Sequence, residues 1–160
     1  MKKLRLAALW GSLLVLCSLT PTAYAQQSHV YGFVGPGSTN DGGDAIVQIG
    51  AGAEGLLGKG FGIGLEGGVL GTTNYFSDST LGFVSPGVYY HFRRNAKLDP
   101  FVTGGYSVFF RNGALNLAHF GGGANYWIRR HFGLKFEVRD HVTTENGPSH
   151  FVVFRFGVAF

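Results

Sequence analysis

The sequence is poor in cysteine and in charge. Its single cysteine, Cys17, precludes an intramolecular disulfide and a metal site built from several thiolates. Charged residues make up 14% of the chain, against about 25% in an average soluble domain, so groups suited to face water are scarce. Long helical patterns are also missing, because no window keeps an apolar 3.6-residue stripe for more than a turn or two. Together these deficits favour a β protein that meets little water.

The N-terminal segment has the organisation of a Sec signal peptide. Basic residues precede the apolar run at 6–19 and small residues follow it: Lys2, Lys3 and Arg5 before, Ala23 and Ala25 after. We expect residues 1–25 to be cleaved before Gln26. A membrane anchor is the alternative, but the run is shorter than the roughly 20 residues of a spanning helix. Lipidation at Cys17 is a further alternative, and the residues before it, ending in Leu16, are larger than that modification usually requires.

The remaining residues, 26–160, are enough for one domain. They carry ten Lys or Arg against nine Asp or Glu, a balance that gives no argument for a nucleic-acid partner. Period-two alternation recurs along them and predicts eight strands. The predicted strands are residues 29–35, 45–57, 61–70, 81–92, 100–110, 117–128, 132–141 and 151–160. The facing of residues 29–35 and 100–110 stays open.

Two sets of connections separate these strands. The longer ones are residues 35–43, 71–80, 111–116 and 142–149, and the shorter ones are 58–60, 93–98 and 129–131. An antiparallel meander places the short ones together at one end. They also hold most of the bases outside the strands, namely Lys59, Arg93, Arg94, Lys97, Arg129 and Arg130, whereas Asp41, Asp78 and Glu145 fall in the longer set. The basic residues outside the strands therefore gather at the end that carries the short connections.

The composition of the two strand faces indicates which one meets lipid. A soluble lipocalin-like barrel also alternates, but its outer face carries many Lys, Glu and Thr. Here the polar phase is mostly glycine, for example Gly62, Gly64 and Gly68, as suits a narrow lumen. The opposite phase, of Phe, Leu, Val, Ile and Tyr, is then the lipid face of a closed barrel. The predicted fold is an all-β, eight-stranded antiparallel up-and-down transmembrane barrel.

The last strand carries alternate apolar residues to the final position: Phe154, Phe156, Val158 and Phe160. This ending resembles the C-terminal sorting signal of bacterial outer-membrane barrels. With the signal peptide, the alternation and the glycine-rich strands, the chain resembles the small barrels of the OmpA transmembrane-domain, OmpX and opacity-protein type. The resemblance implies insertion by the barrel assembly machinery into a Gram-negative-type outer membrane and contact with phospholipid and lipopolysaccharide. Because such barrels have short periplasmic turns and longer outer loops, we expect the basic end to face the periplasm. No peptidoglycan-binding domain and no cofactor are expected.

Six charged residues share the predicted lumen face: Glu54, Glu66, Lys135, Glu137, Arg139 and Arg155. A simple connection at 142–149 places Glu137 opposite Arg155. Because an isolated buried charge costs several kcal/mol, these side chains should pair and plug the lumen. A selective ion path is the functional alternative.

Three local patterns suggest other chemistry. Residues 62–67 match GxGxxG, but no helix follows to receive a phosphate. His119 and His141 fall opposite each other, with Asp140, Glu145 and His150 close in sequence, yet a metal site needs three or four convergent ligands.

The third pattern, His141-Val142-Thr143, lies where lipid A deacylase barrels carry His-x-Ser. Thr143 replaces the serine, and His141 faces the lumen rather than the acyl chains. We therefore expect a non-enzymatic outer-membrane barrel with a structural or surface-interaction role and a plugged lumen. A narrow passive channel is the second hypothesis and a lipid A-modifying acyl hydrolase the third. No metal and no catalytic residue are assigned, and the extracellular partner is unknown.

Overall fold

Eight antiparallel strands close into a barrel in this computed structural model, which describes residues 28–39, 45–74, 80–94, 96–143 and 149–160. The strands are β1 His29–Thr39, β2 Ile46–Gly58, β3 Phe61–Thr72, β4 Leu81–His91, β5 Leu98–Phe110, β6 Ala114–Arg129, β7 Phe132–Thr143 and β8 Ser149–Ala159. Each strand pairs with its neighbour in sequence, and β1 pairs with β8. The predicted fold class, an eight-stranded up-and-down barrel, is confirmed. No helix within the described ranges is long and apolar enough to cross a membrane, a finding that does not bear on strands.

The two ends of the barrel differ in their connections. The turn end carries the connections at residues 59–60, 92–97 and 130–131, and His29 and Phe160 also lie there. The loop end carries those at 40–45, 73–80, 111–113 and 144–148. The turn between β2 and β3 uses Gly58 and Gly60 with φ values of 132° and 89°, a region where a side chain would be strained. The predicted signal peptide, with Ala23 and Ala25, and three loop acids, Asp41, Asp78 and Glu145, lie outside the described residues.

β1 and β6 extend furthest beyond their predicted bounds. β1 continues to Thr39 through the predicted loop residues Gly35, Pro36 and Gly37. Pro36 is tolerated because its ring faces outward and the pairing with β8 is interrupted there. Its missing N–H therefore removes no hydrogen bond of that ladder. β6 begins at Ala114, which reduces the predicted loop 111–116 to three residues. The loop end is therefore more compact than expected.

Burial is inverted relative to a soluble domain. Large apolar side chains from all eight strands face outward, among them Phe61 at 56% exposure and Phe154 at 53%. Inside, 17 polar or charged side chains of the described residues are buried, against 12 hydrophobic ones. The strands whose facing was predicted have those faces, and Tyr31 and Phe101 show that β1 and β5 also place odd-numbered residues inside. The core of this protein is thus its polar lumen.

Candidate functional site in the barrel lumen

A four-residue ion-pair network crosses the middle of the lumen. Glu66 on β3 accepts from Arg139 Nη1 at 2.6 Å and from Arg155 Nη2 at 2.9 Å. Glu137 on β7 pairs with the same two guanidinium groups. The strand register places Glu137 opposite Arg155, as the sequence predicts. All four side chains are almost completely buried, so each charge depends on its partners rather than on water.

Two tyrosines complete this central network. Tyr31 Oη donates to Glu66 Oε1 at 2.6 Å, and Tyr89 Oη donates to the same oxygen at 3.0 Å. The Arg155 guanidinium lies 3.5 Å from the centre of the Phe33 ring, a cation–π contact. Between Phe33, Glu137 and Arg155 the cavity leaves no volume for a water molecule. This part of the network therefore holds its ion pairs without room for water.

Lys135, a predicted member of the charge network, has a different environment. Its Nζ lies 3.9 Å from the ring centre of Phe101, 4.5 Å from that of Tyr31 and 5.2 Å from that of Tyr89. It makes no hydrogen bond and no ion pair among the described residues. The ammonium group is thus held by ring faces, which attract a cation through their quadrupoles.

Glu54, also a predicted member, belongs to a separate chain of contacts at the turn end. Its Oε1 lies 2.6 Å from His91 Nε2, and the other ring nitrogen, Nδ1, lies 2.7 Å from Asp99 Oδ2. His29 Nε2 approaches Glu54 Oε2 at 3.5 Å. Four polar residues therefore meet at this end of the lumen, and Glu54 does not join the arginines.

The loop end of the lumen is lined by hydroxyls and aromatic rings. Ser107 Oγ is 2.7 Å from Ser85 Oγ and 2.8 Å from His119 Nδ1. His141 stacks on Phe151, with ring centres 4.5 Å apart and planes 10° apart, and Phe109 meets both rings edge-on. Hydroxyls and packed rings therefore occupy the lumen on the loop side of the charged middle.

The two histidines that were weighed as metal ligands, and not assigned, lie side by side without converging. His119 and His141 are opposite each other in the register, with ring centres 5.7 Å apart. His119 directs Nδ1 to Ser107 on β5, and its Nε2 lies over Gly87 on β4, where an added Cβ would be only 3.2 Å away. Both nitrogens therefore point away from β7. Within the described part of the chain no three His, Cys, Asp or Glu side chains are grouped as metal ligands would be.

The hydrolase motif is likewise not assembled. Neither ring nitrogen of His141 makes a hydrogen bond, so His141 does not act as a base for the Thr143 hydroxyl in this structure. His141 is fully buried inside the barrel, whereas acyl chains would lie outside its wall. A nucleophile needs its base within hydrogen-bond reach and its substrate within attack distance, and neither condition is met here.

Sequence reasoning missed the aromatic and histidine partners in the lumen. Tyr89 could have been found from the alternation of the predicted strand 81–92, which places it on the lumen face with Ser85. Asp99 was assigned to no element, because the predicted connection ended at residue 98 and the predicted strand began at residue 100, whereas β5 begins at Leu98. Its partner His91 was not singled out. The charged lumen residues could be identified from the alternation, whereas the tyrosine, histidine and aspartate side chains that contact them were not identified.

Comparison with known proteins identifies the fold. No protein-family model and no curated protein match the chain. Among solved structures, neisserial surface protein A is similar with a TM-score of 0.64 at 11% identity, covering 82% of this chain and 95% of that one. The N-terminal β-barrel domain of Pseudomonas aeruginosa OprF gives 0.60 at 15% identity, covering 83% and 96%. Ail, the attachment invasion locus protein of Yersinia pestis, gives 0.52 at 12% identity, covering 83% and 97%. The chain has the fold of these small outer-membrane barrels.

Proposed function

We propose that this chain is a non-enzymatic integral protein of a Gram-negative-type outer membrane, with a plugged lumen and a structural or surface-interaction role. The observation that carries the proposal is the inverted barrel: a wall of exposed Phe, Leu, Val, Ile and Tyr around a buried polar interior. Such a wall is soluble only in lipid, and a closed barrel pairs every backbone group that lipid cannot satisfy. Phospholipid and lipopolysaccharide are its immediate partners, and the barrel assembly machinery inserts it after Sec export.

The plugged lumen is supported by contacts between opposite walls. β7 and β3 lie four strands apart around the eight-stranded barrel, so the Arg139–Glu66 pair spans its diameter. Rings at the loop end and the Glu54–His91–Asp99 contacts at the turn end lie above and below it. An ion would have to break several buried ion pairs to pass. A narrow channel is therefore the weaker hypothesis.

A surface role is supported by what remains available for binding. The lumen offers no access to a substrate, which leaves the wall and the loop end. The names of two similar proteins, a neisserial surface protein and an attachment invasion locus protein, place those proteins in surface functions. The loops here span only three to eight residues between strands, little area beside a standard interface of roughly 800 Å² per partner. Contact with lipid or a weak surface contact suits them better than a dedicated adhesin.

Gel mobility and conductance test this proposal together. The purified, refolded protein should migrate faster before boiling than after, as closed barrels do, and should give no single-channel steps in planar bilayers. The double variant Glu66→Ala/Arg139→Ala removes the contact that spans the lumen and should introduce such steps. Conductance of the unaltered protein that disappears in Arg155→Ala would favour the channel instead.

A further inference from the structure

The turn end carries most of the cationic side chains of the barrel. Of the ten Lys and Arg in the described residues, three are in the lumen and one, Arg111, is at the loop end. The other six form what we call the basic rim: Lys59, Arg93, Arg94, Lys97, Arg129 and Arg130. The three turns contain no Asp or Glu. Positive and negative charges nearly balance over the whole domain, but the positive charges are concentrated at the turn end.

Backbone hydrogen bonds set these turns side by side. His91 N donates to Gly60 O at 2.8 Å, which places Lys59 next to the end of β4 where Arg93 follows. Trp127 N donates to Lys97 O at 2.8 Å, which places Lys97 next to the end of β6. The basic rim is thus one continuous arc from β2 to β7.

The cations of this arc are exposed and largely unpaired. Lys59, Arg93, Lys97, Arg129 and Arg130 are all exposed to solvent. Among the described residues, none of these five has a carboxylate within 4.0 Å. This contrasts with the lumen, where both arginines are paired.

Directly beside the arc, the outer wall carries a band of aromatic side chains. The ring of Tyr90 lies 4.9 Å from that of Phe61 and 5.2 Å from that of Phe92, both edge-on. Lys97 Nζ lies 5.2 Å from the centre of the Tyr126 ring, so cation and ring are in direct contact. Such rings settle at the boundary between acyl chains and headgroups, which fixes the basic rim at headgroup level.

We propose that the basic rim is a binding surface for anionic phospholipid headgroups in the periplasmic leaflet. The cations of the basic rim bind the negatively charged phosphodiester. The parts of the acyl chains next to the headgroup lie along Phe61, Tyr90 and Tyr126. Juxtamembrane Lys and Arg attract anionic lipid by about 1 kcal/mol each, so five or six together select it over zwitterionic lipid. This inference rests on the proposed membrane insertion.

Native mass spectrometry of the detergent-solubilised protein tests the inference. Phosphatidylglycerol and phosphatidylethanolamine with identical acyl chains should be offered in competition, and phosphatidylglycerol adducts should dominate. The triple variant Arg93→Gln/Arg129→Gln/Arg130→Gln should lower that association by roughly fivefold for each cation removed. Arg111→Gln, an exposed cation at the other end, is the matched control and should leave it unchanged.

Three outcomes would overturn the inference: equal binding of the two lipids, an equal loss in Arg111→Gln, or stronger binding of lipopolysaccharide by the same cations. If the triple variant does not fold, the salt dependence of the unaltered protein decides, because headgroup attraction should weaken steeply as ionic strength rises. Heat-modifiable mobility is recorded for every sample. A protein that forms no barrel contradicts the proposed function, whereas a folded barrel without lipid preference contradicts only this inference.

Discussion

Arg139 on β7 reaches Glu66 on β3 across the full width of the barrel, with Nη1 and Oε2 2.6 Å apart. The same carboxylate accepts from Arg155 and from the hydroxyls of Tyr31 and Tyr89, so one acid ties together five strands. A barrel wall is held by backbone pairing between neighbours, whereas this contact joins strands that never meet in the sheet. It therefore adds a contact across the lumen that backbone pairing does not provide.

Glu66→Gln should destabilise the folded barrel by about 3–5 kcal/mol, because two buried guanidinium groups would lose a charged partner. The measurement is the free energy of unfolding by denaturant in lipid vesicles. Asp140→Asn is the control, since Asp140 is partly exposed at the loop end and its contact with His150 is 3.4 Å long. That change should cost at most about 1 kcal/mol. Equal effects of the two substitutions would show that the central network contributes little.

His91→Phe should destabilise the turn end. The His91 imidazole lies between the carboxylates of Glu54 and Asp99, and a phenyl ring would leave both acids buried without this partner. We expect a loss of several kcal/mol in the free energy of unfolding. His131→Phe is the control because His131 is exposed in the neighbouring turn. A tolerated His91→Phe would mean that the two acids are satisfied by other groups.

The faces of the barrel could be predicted from the sequence because strand side chains alternate strictly, so glycine on one phase and Phe, Leu or Val on the other identify lumen and wall. The aromatic content of the lumen could not. Phe83 and Tyr89 lie inside because Gly68 and Gly64 on β3 vacate the space beside them. Which glycine accepts which ring depends on the register and on side-chain rotamers, and alternation specifies neither.

The charged residues of the lumen were predicted as a set, but not their partners. Glu54 was grouped with the arginines because it shares their face, yet its height along the barrel brings it to His91 instead. Lys135 was expected to pair with an acid and is surrounded by rings. The position of a residue along the barrel axis follows from the stagger between strands. Alternation alone therefore assigns a residue to the lumen without giving that position.

Gly64→Ala tests the packing of the lumen. An added Cβ at Gly64 would lie 2.7 Å from Tyr89 Cε2 and 3.1 Å from Ala53 O, so Tyr89 must move and its bond to Glu66 weakens. We expect a cost of about 1–3 kcal/mol in the free energy of unfolding. Gly104→Ala, on the outer wall, would bring its Cβ no closer than 3.7 Å to any atom and should be neutral or slightly stabilising. The reverse order would contradict the assigned faces.

Cysteine labelling tests the orientation of the barrel. Arg93→Cys and Asn112→Cys place a thiol in exposed connections at the turn end and the loop end. In intact cells a membrane-impermeant maleimide should label the variant at position 112 and spare the one at position 93, because short turns face the periplasm. The only native cysteine, Cys17, lies in the predicted signal peptide and should not interfere. Preferential labelling at position 93 would invert the assigned orientation.

Phe154→Arg tests whether the wall meets lipid. Phe154 lies in the middle of β8, is 53% exposed, and pairs with the outward-facing Val138 on β7. In water an exposed arginine at this position would be harmless. In a bilayer it should cost up to about 2–4 kcal/mol near the midplane, because the guanidinium must enter hydrocarbon. Folding into lipid vesicles, followed by gel mobility and denaturant titration, measures this cost.

Asn112→Arg places the same charge at the loop end and should fold normally, whereas Phe154→Leu keeps an apolar side chain at the original site and should also be tolerated. If Phe154→Arg folded as readily as Asn112→Arg, the exposed face would not be a lipid face, and the barrel would have to be covered by something other than a membrane.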